Sequence, residues 1–189
     1  AIDMDRFQNE SVSDAIMCFA AAVKEATERR CLVGVQHGCT QETGSDGALV
    51  FHRRPDPAFG ALLGCRDIGL IHERFSCFER GAAQSRSVFT AIDSVALHRK
   101  LVICEGDIYS QVSPKPAQNL IQPSWKDRGT NLADTLSLVR RDFGTAAMHR
   151  SGISLLGSLS DGRWRERAVW NSTQLLRRIS AEMRSELPF

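Results

Sequence analysis

The sequence predicts an α+β domain: a mainly antiparallel sheet with long helices packed on one face. Three observations carry that expectation. Apolar residues recur at helical spacing over three long segments. Short runs rich in β-branched residues lie between them. The order is helix, strand, strand, mixed middle, strand, loop, helix, strand, helix, with no internal repeat, which suits one layered unit. A chain of 189 residues, 42% apolar and 24% charged, has the size and composition of one ordinary globular domain. The expectation is a single domain over 1–189 with a Pro-rich connecting loop at 113–129.

The first helix is expected over Ser11–Arg30. There Val12, Ala15, Ile16, Phe19, Ala22, Val23 and Ala26 share a face, while Lys24, Glu25 and Glu28 look away. Arg29 and Arg30 close its last turn, where the helix dipole favours cations. Cys31–Gln36 reads as a strand with Cys31, Val33 and Val35 turned to the core. A turn-rich stretch, GCTQETGSDG, leads to a second strand at Ala48–His52, and the two are expected to form an antiparallel hairpin with a long loop. RRPDP ends that strand, because proline lacks a ladder donor.

From Ala58 to Arg80 the pattern is mixed. AFGALLG suits a strand or a short helix, and IGLIHERFSCFERG reads as helical up to Gly81. Ser87–Leu97 fits either state, whereas Leu101–Cys104 (LVIC) reads as a buried strand. Asn131–Arg150 is expected to be helical, with Leu132, Leu136, Val139 and Phe143 on one face and Asn131 or Thr130 as its cap. Gly152–Leu159 reads as a strand that stops at the turn Ser160-Asp161-Gly162, and Trp164–Leu187 as a closing amphipathic helix.

Composition removes several classes of function. No run of about 18 apolar residues exists, so no membrane span is expected. The start AIDMDRF is acidic and lacks the basic flank of a signal peptide. A net charge of +2 argues against a dedicated nucleic-acid binder. Six cysteines are present, but a chain this long needs no disulfide framework, and Cys18 and Cys104 lie inside apolar runs. Reduced thiols and a cytoplasmic location are the expectation. No Walker loop, dinucleotide fingerprint, nucleophile elbow or H-E-x-x-H is present.

Three clusters carry chemically capable side chains. ERRCLVGVQHGC places Cys31, His37 and Cys39 close in sequence, but without the paired-cysteine knuckles of a structural zinc site; it reads as a core strand running into a polar turn, with no metal expected. IHERFSC offers His72 and Cys77, five apart and poorly aligned on a helix, which reads as a surface histidine among charged neighbours. Glu105 and Asp107 follow the LVIC strand directly. A strand exit is a rigid platform for a ligand, and Tyr109 and, across the Pro-rich loop, Trp125 are the expected companions.

Thr135-Leu136-Ser137-Leu138-Val139-Arg140-Arg141-Asp142-Phe143-Gly144, the small-residue run Ile153–Leu159 and the terminal helix around Leu175–Met183 together resemble effector-binding domains of GAF type, as in IclR-type transcription regulators. The resemblance covers the two ends of the chain and not its middle. It implies small-molecule sensing in transcription regulation, a homodimer, and contact with nucleic acid only through a segment outside this chain.

The leading expectation is therefore a non-enzymatic, cytoplasmic domain that binds a small-molecule effector through Glu105, Asp107, Tyr109 and Trp125, with the cofactor left unassigned. The first and last helices, both amphipathic, are candidates to pair across a dimer axis. Two rivals stand beside it. One is an enzyme drawing on Cys77 or Cys104, His72 or His98, and Glu105 or Asp107. The other is an interaction protein that sets the basic Arg163–Arg184 helix against an anionic partner.

Overall fold

The structure is a computed structural model that describes residues 2–37, 58–75, 81, 84–85, 87–88, 90–106, 108–113, 129–155 and 166–186. Helices and strands alternate along the chain: α1 (Ile2–Ala26), β1 (Gly34–Gln36), α2 (Phe59–Gly64), β2 (Leu70–Arg74), α3 (Ile92–Leu97), β3 (Leu101–Gly106), α4 (Leu132–Met148), β4 (Gly152–Leu155) and α5 (Arg167–Glu186).

The four strands form one sheet in the order β1-β2-β3-β4, and all are parallel. This corrects the mainly antiparallel, GAF-like sheet expected from the sequence. β1 pairs with β2 rather than with a hairpin neighbour, in the register Gly34↔Leu70, Val35↔Ile71, Gln36↔His72. Parallel neighbours need a crossover of a dozen residues or more, and each connection here contains a helix. The second arm of the expected hairpin, Ala48–His52, lies outside the described residues.

Local expectations fared unevenly. IGLIHERF was read as helical, yet Leu70–Arg74 is a strand with Ile71 and Glu73 buried. A strict alternation was present, but an acidic residue in the buried position disguised it. Cys31 was read as core and is exposed, because β1 begins only at Gly34. The turn before it runs through Glu28 and Arg29 in the left-handed region, at φ 51 and φ 60. Along α1 the face that packs is not the most apolar one. Ser13 and Ala20 are buried, whereas Phe19 is 71% exposed.

The chain forms two compact units, Ala1–Arg74 with Val88–Cys104, and Phe75–Ser87 with Glu105–Phe189. In the first, backbone bonds stitch the strand starts together: Gly69 N–H donates to Val33 O and Leu101 N–H to Gly69 O, both at 2.9 Å. Lys100 ties the turn before β2, donating to Cys65 O at 2.7 Å and Ile68 O at 2.6 Å. Burial pushes its pKa down.

In the second unit α4 and α5 enclose a core of Ile108, Leu138, Val139 and Val169, against which Leu136, Phe143 and Leu176 pack. Arg141, from the segment that carried the resemblance, donates to Gly81 O at 2.7 Å and to Asp142 Oδ1.

The start of α4 is as the sequence predicts. Asn131 caps it, its Oδ1 accepting Asp134 N–H at 2.9 Å. Asp134 reaches back, Oδ2 accepting the Thr130 hydroxyl and, at 3.1 Å, the Thr130 N–H. The Thr130 hydroxyl first, then its amide, hold the Asp134 carboxyl below its ordinary value of 3.8. A depressed folded value means stability that is complete above pH 3.8 and is lost as pH falls through the folded value. Asn131→Ala is expected to cost about 1 kcal/mol in urea unfolding at neutral pH. Asp134→Ala is expected to destabilise at neutral pH, and its gap to the parent protein is expected to close as pH falls below 3.8 and through the folded value.

Candidate functional site

The carboxyl ends of β1 and β2 bring together side chains that the sequence keeps far apart. His37 directly follows β1, and its N–H donates to His72 O at 3.0 Å, extending the ladder by one residue. Glu73 is the fourth residue of β2. The register carries Val35↔Ile71 forward to His37 beside Glu73 on the same face. There the imidazole Nδ1 lies 3.2 Å from Glu73 Oε2, and both side chains are wholly closed to solvent.

Each partner is further constrained. Glu73 Oε1 accepts the Arg74 N–H at 2.9 Å. Phe59, the first residue of α2, tilts against the imidazole with ring centroids 4.4 Å apart. His37 Nε2 is buried and, among the described residues, has no hydrogen-bond partner. An unmade hydrogen bond in the interior costs on the order of 1–3 kcal/mol, so a site that keeps one is a candidate for function.

The two faces of this part of the sheet differ. A parallel ladder in which Leu101 N–H bonds to Gly69 O sets Leu101 beside Leu70, and so Cys104 beside Glu73. One face thus carries Ile71, Glu73, Val102 and Cys104, all buried. The other carries Gln36, Leu70, His72, Arg74, Leu101 and Ile103, which are exposed or half-buried, and then Glu105, which is buried. At Gly34 the Leu70 side chain occupies the space a Cβ would need, which confirms that these two share the open face.

The residues named from the sequence fall as follows. Glu105 is the penultimate residue of β3 and is buried, and Tyr109 is half-buried with its carbonyl accepting Gly129 N–H at 3.0 Å. Asp107 and Trp125 lie outside the described residues, as do Cys39 and Cys77. Cys104 and His72 stand on opposite faces of the sheet and form no thiol–imidazole pair. His98 caps the end of α3, its Nδ1 2.7 Å from Ser94 O. Among the described residues no group of three or more His, Cys, Asp or Glu side chains could hold a metal ion. The basic segment from Arg163 is described only from Glu166 onward, as the start of α5.

The pairing of His37 with Glu73 was missed in the sequence. The readable signal was parity: Val35-x-His37 and Ile71-x-Glu73 each place a titratable residue two positions after an apolar strand residue, at the strand's exit.

Parallel strands joined through helices, with titratable side chains gathered where two of them end, make this an α/β chain with a candidate site at the carboxyl edge of its sheet. No family model, curated protein or solved structure matches the sequence or the fold. Among the described residues no helix is long and apolar enough to cross a membrane.

Proposed function

We propose that the chain binds a small molecule at the carboxyl ends of β1 and β2 and uses His37 as a proton-transfer group held by Glu73. The observation that carries this reading is His37 Nε2, buried and without a hydrogen-bond partner among the described residues, on an imidazole held by Glu73 at Nδ1 and by Phe59 against its ring. Ligands of parallel α/β sheets bind beyond the carboxyl ends of the strands, in barrels and open sheets alike. Glu73 Oε1 accepts the Arg74 N–H and Oε2 faces Nδ1, so a carboxylate there would keep the imidazole N–H on Nδ1 and leave Nε2 its lone pair. That is the arrangement of a general base whose tautomer is set by a carboxylate. Glu73 is then a positioning residue, and Phe59 restricts the ring.

Small-molecule recognition is shared with the effector-sensing expectation, and turnover separates the two. A metabolite library screened by thermal shift against the parent protein and Glu73→Gln is the test. Compounds that stabilise the parent and fail on the variant, while moving the ¹⁵N signal of His37 Nε2, support the site. Conversion of such a compound marks an enzyme; its recovery unchanged marks a sensor. Ligands that bind both proteins equally and leave His37 unmoved would remove the pair from function.

A further inference from the structure

The outer side of α1 is apolar along most of its length. Ser13 and Ala20 mark the packed side of this helix and are buried. Half a turn round from them, Met4, Phe7, Ala15, Cys18, Phe19 and Ala22 are all exposed. The seam of this stripe is regular. Met4, Gln8, Ser11, Ala15, Cys18 and Ala22 follow one another at alternate steps of four and three, the spacing by which one helix lies along another. Phe7 and Phe19 flank the seam. The 25 residues of α1 make it about 37 Å long.

Its area is that of an interface. Met4 is 59% exposed, Phe7 64%, Phe19 71% and Val23, at the edge of the stripe, 44%. With the alanines and Cys18 between them, these side chains offer roughly 600 Å² of apolar surface, at the upper end for a patch on a monomer. A standard interface takes about 800 Å² from each partner, which this stripe supplies once its polar border is added.

The stripe also fits itself. Laid antiparallel on a second copy, with the two-fold axis at the level of Ser13, Met4 meets the partner's Ala22, Gln8 meets the partner's Cys18, and Ser11 meets the partner's Ala15. Long side chains fall against short ones, and the small residues at the centre let the helix axes approach to about 8 Å. A parallel pair would carry the seam on to Glu25 and set that carboxylate against its own copy. The antiparallel pair places Glu25 beyond the partner's Met4.

We infer that α1 is the contact face of a homodimer, in which the outer stripe of one copy packs antiparallel on the same stripe of a second. Association through this face is separate from proton transfer at His37, and the failure of either leaves the other standing.

The experiment is sedimentation velocity on the full chain, in reductant, from about 1 to about 100 μM. The expected result is a monomer–dimer equilibrium with the dimer dominant at the upper end. Ala15→Glu is expected to weaken association at least about 100-fold, because it buries two unpaired carboxylates at the centre of the contact. Position 15 is exposed in the single chain, so the helical circular dichroism is expected to be unchanged. Phe7→Ser is the second disruptive variant, should Ala15→Glu lose its fold. Leu97→Ser, at an apolar residue 83% exposed outside α1, is expected to leave the dimer intact.

Orientation is read by mild oxidation with diamide. Gln8→Cys is expected to give a covalent dimer that disappears when Cys18→Ser is added, since the antiparallel register sets position 8 against the partner's Cys18. A chain that stays monomeric over the whole range, or a dimer that survives both Ala15→Glu and Phe7→Ser, would overturn the inference. A parent protein that crosslinks through Cys18 to the partner's Cys18 would overturn the antiparallel arrangement.

Discussion

Glu73→Ala is expected to destabilise the protein by about 3–5 kcal/mol, the cost of removing one member of a wholly buried polar pair. The carboxylate accepts the Arg74 N–H at 2.9 Å and faces His37 Nδ1 at 3.2 Å. Without it His37 Nδ1 loses its partner where the imidazole is closed to solvent, and among the described residues Nε2 has none. Urea unfolding followed by far-ultraviolet circular dichroism measures the effect. The companion is the double substitution His37→Phe with Glu73→Leu, which replaces the pair by apolar groups of similar volume. Its stability is expected near that of the parent, because a well-packed apolar substitute recovers the desolvation that the pair sustains. Function is expected to be lost in the double variant. A stable but inactive double variant shows that the pair is kept for chemistry; one as unstable as Glu73→Ala would make it a structural strut.

Gly129→Ala is expected to cost about 1–3 kcal/mol, the usual penalty for overpacking. A Cβ at Gly129 would stand 2.5 Å from Thr135 Oγ1 and 3.0–3.1 Å from the Thr135 N and Cα. The hydroxyl cannot simply turn aside. It donates to Gln111 Oε1 and lies 3.1 Å from Asn131 O. The Thr135 backbone is fixed by its own N–H donating to Asn131 O at 3.1 Å. The added methyl therefore pushes on the capped first turn of α4. Gly144→Ala is the control of opposite sign. It lies inside α4 with nothing within 4 Å of its would-be Cβ, and alanine there is expected to stabilise by roughly 0.5–1 kcal/mol. Equal effects from the two would mean that helix propensity, and not the contact with Thr135, decides at Gly129.

Much of the helical content was legible residue by residue. Asn131 as cap, and Leu136, Val139 and Phe143 on the packed face of α4, follow from local rules: a cap needs its side chain within three residues, and a helix face repeats within four. LVIC as a strand follows because a short apolar run has few alternatives. The sheet was misread for the complementary reason. Whether β1 turns back on itself or crosses through a helix depends on a partner more than thirty residues away, and nothing in Gly34–Gln36 names it.

Glu73 shows the same limit in the candidate site. Read alone, a glutamate between His72 and Arg74 belongs to a charged surface, and this made Leu70–Arg74 look helical. Only beside His37, which can share a proton with it, is a buried carboxylate tolerable. The sequence by itself determined where α4 begins, what caps it and which residues are chemically capable, since those properties reside in contacts within a turn or two, whereas it set the start of α1 at Ser11 and the helix begins at Ile2. The tertiary structure alone decided which strands run side by side, which face is sealed, and that His37 meets Glu73. Those outcomes depend on long-range pairing, where the free energy of one contact is set by a residue that the local sequence does not contain.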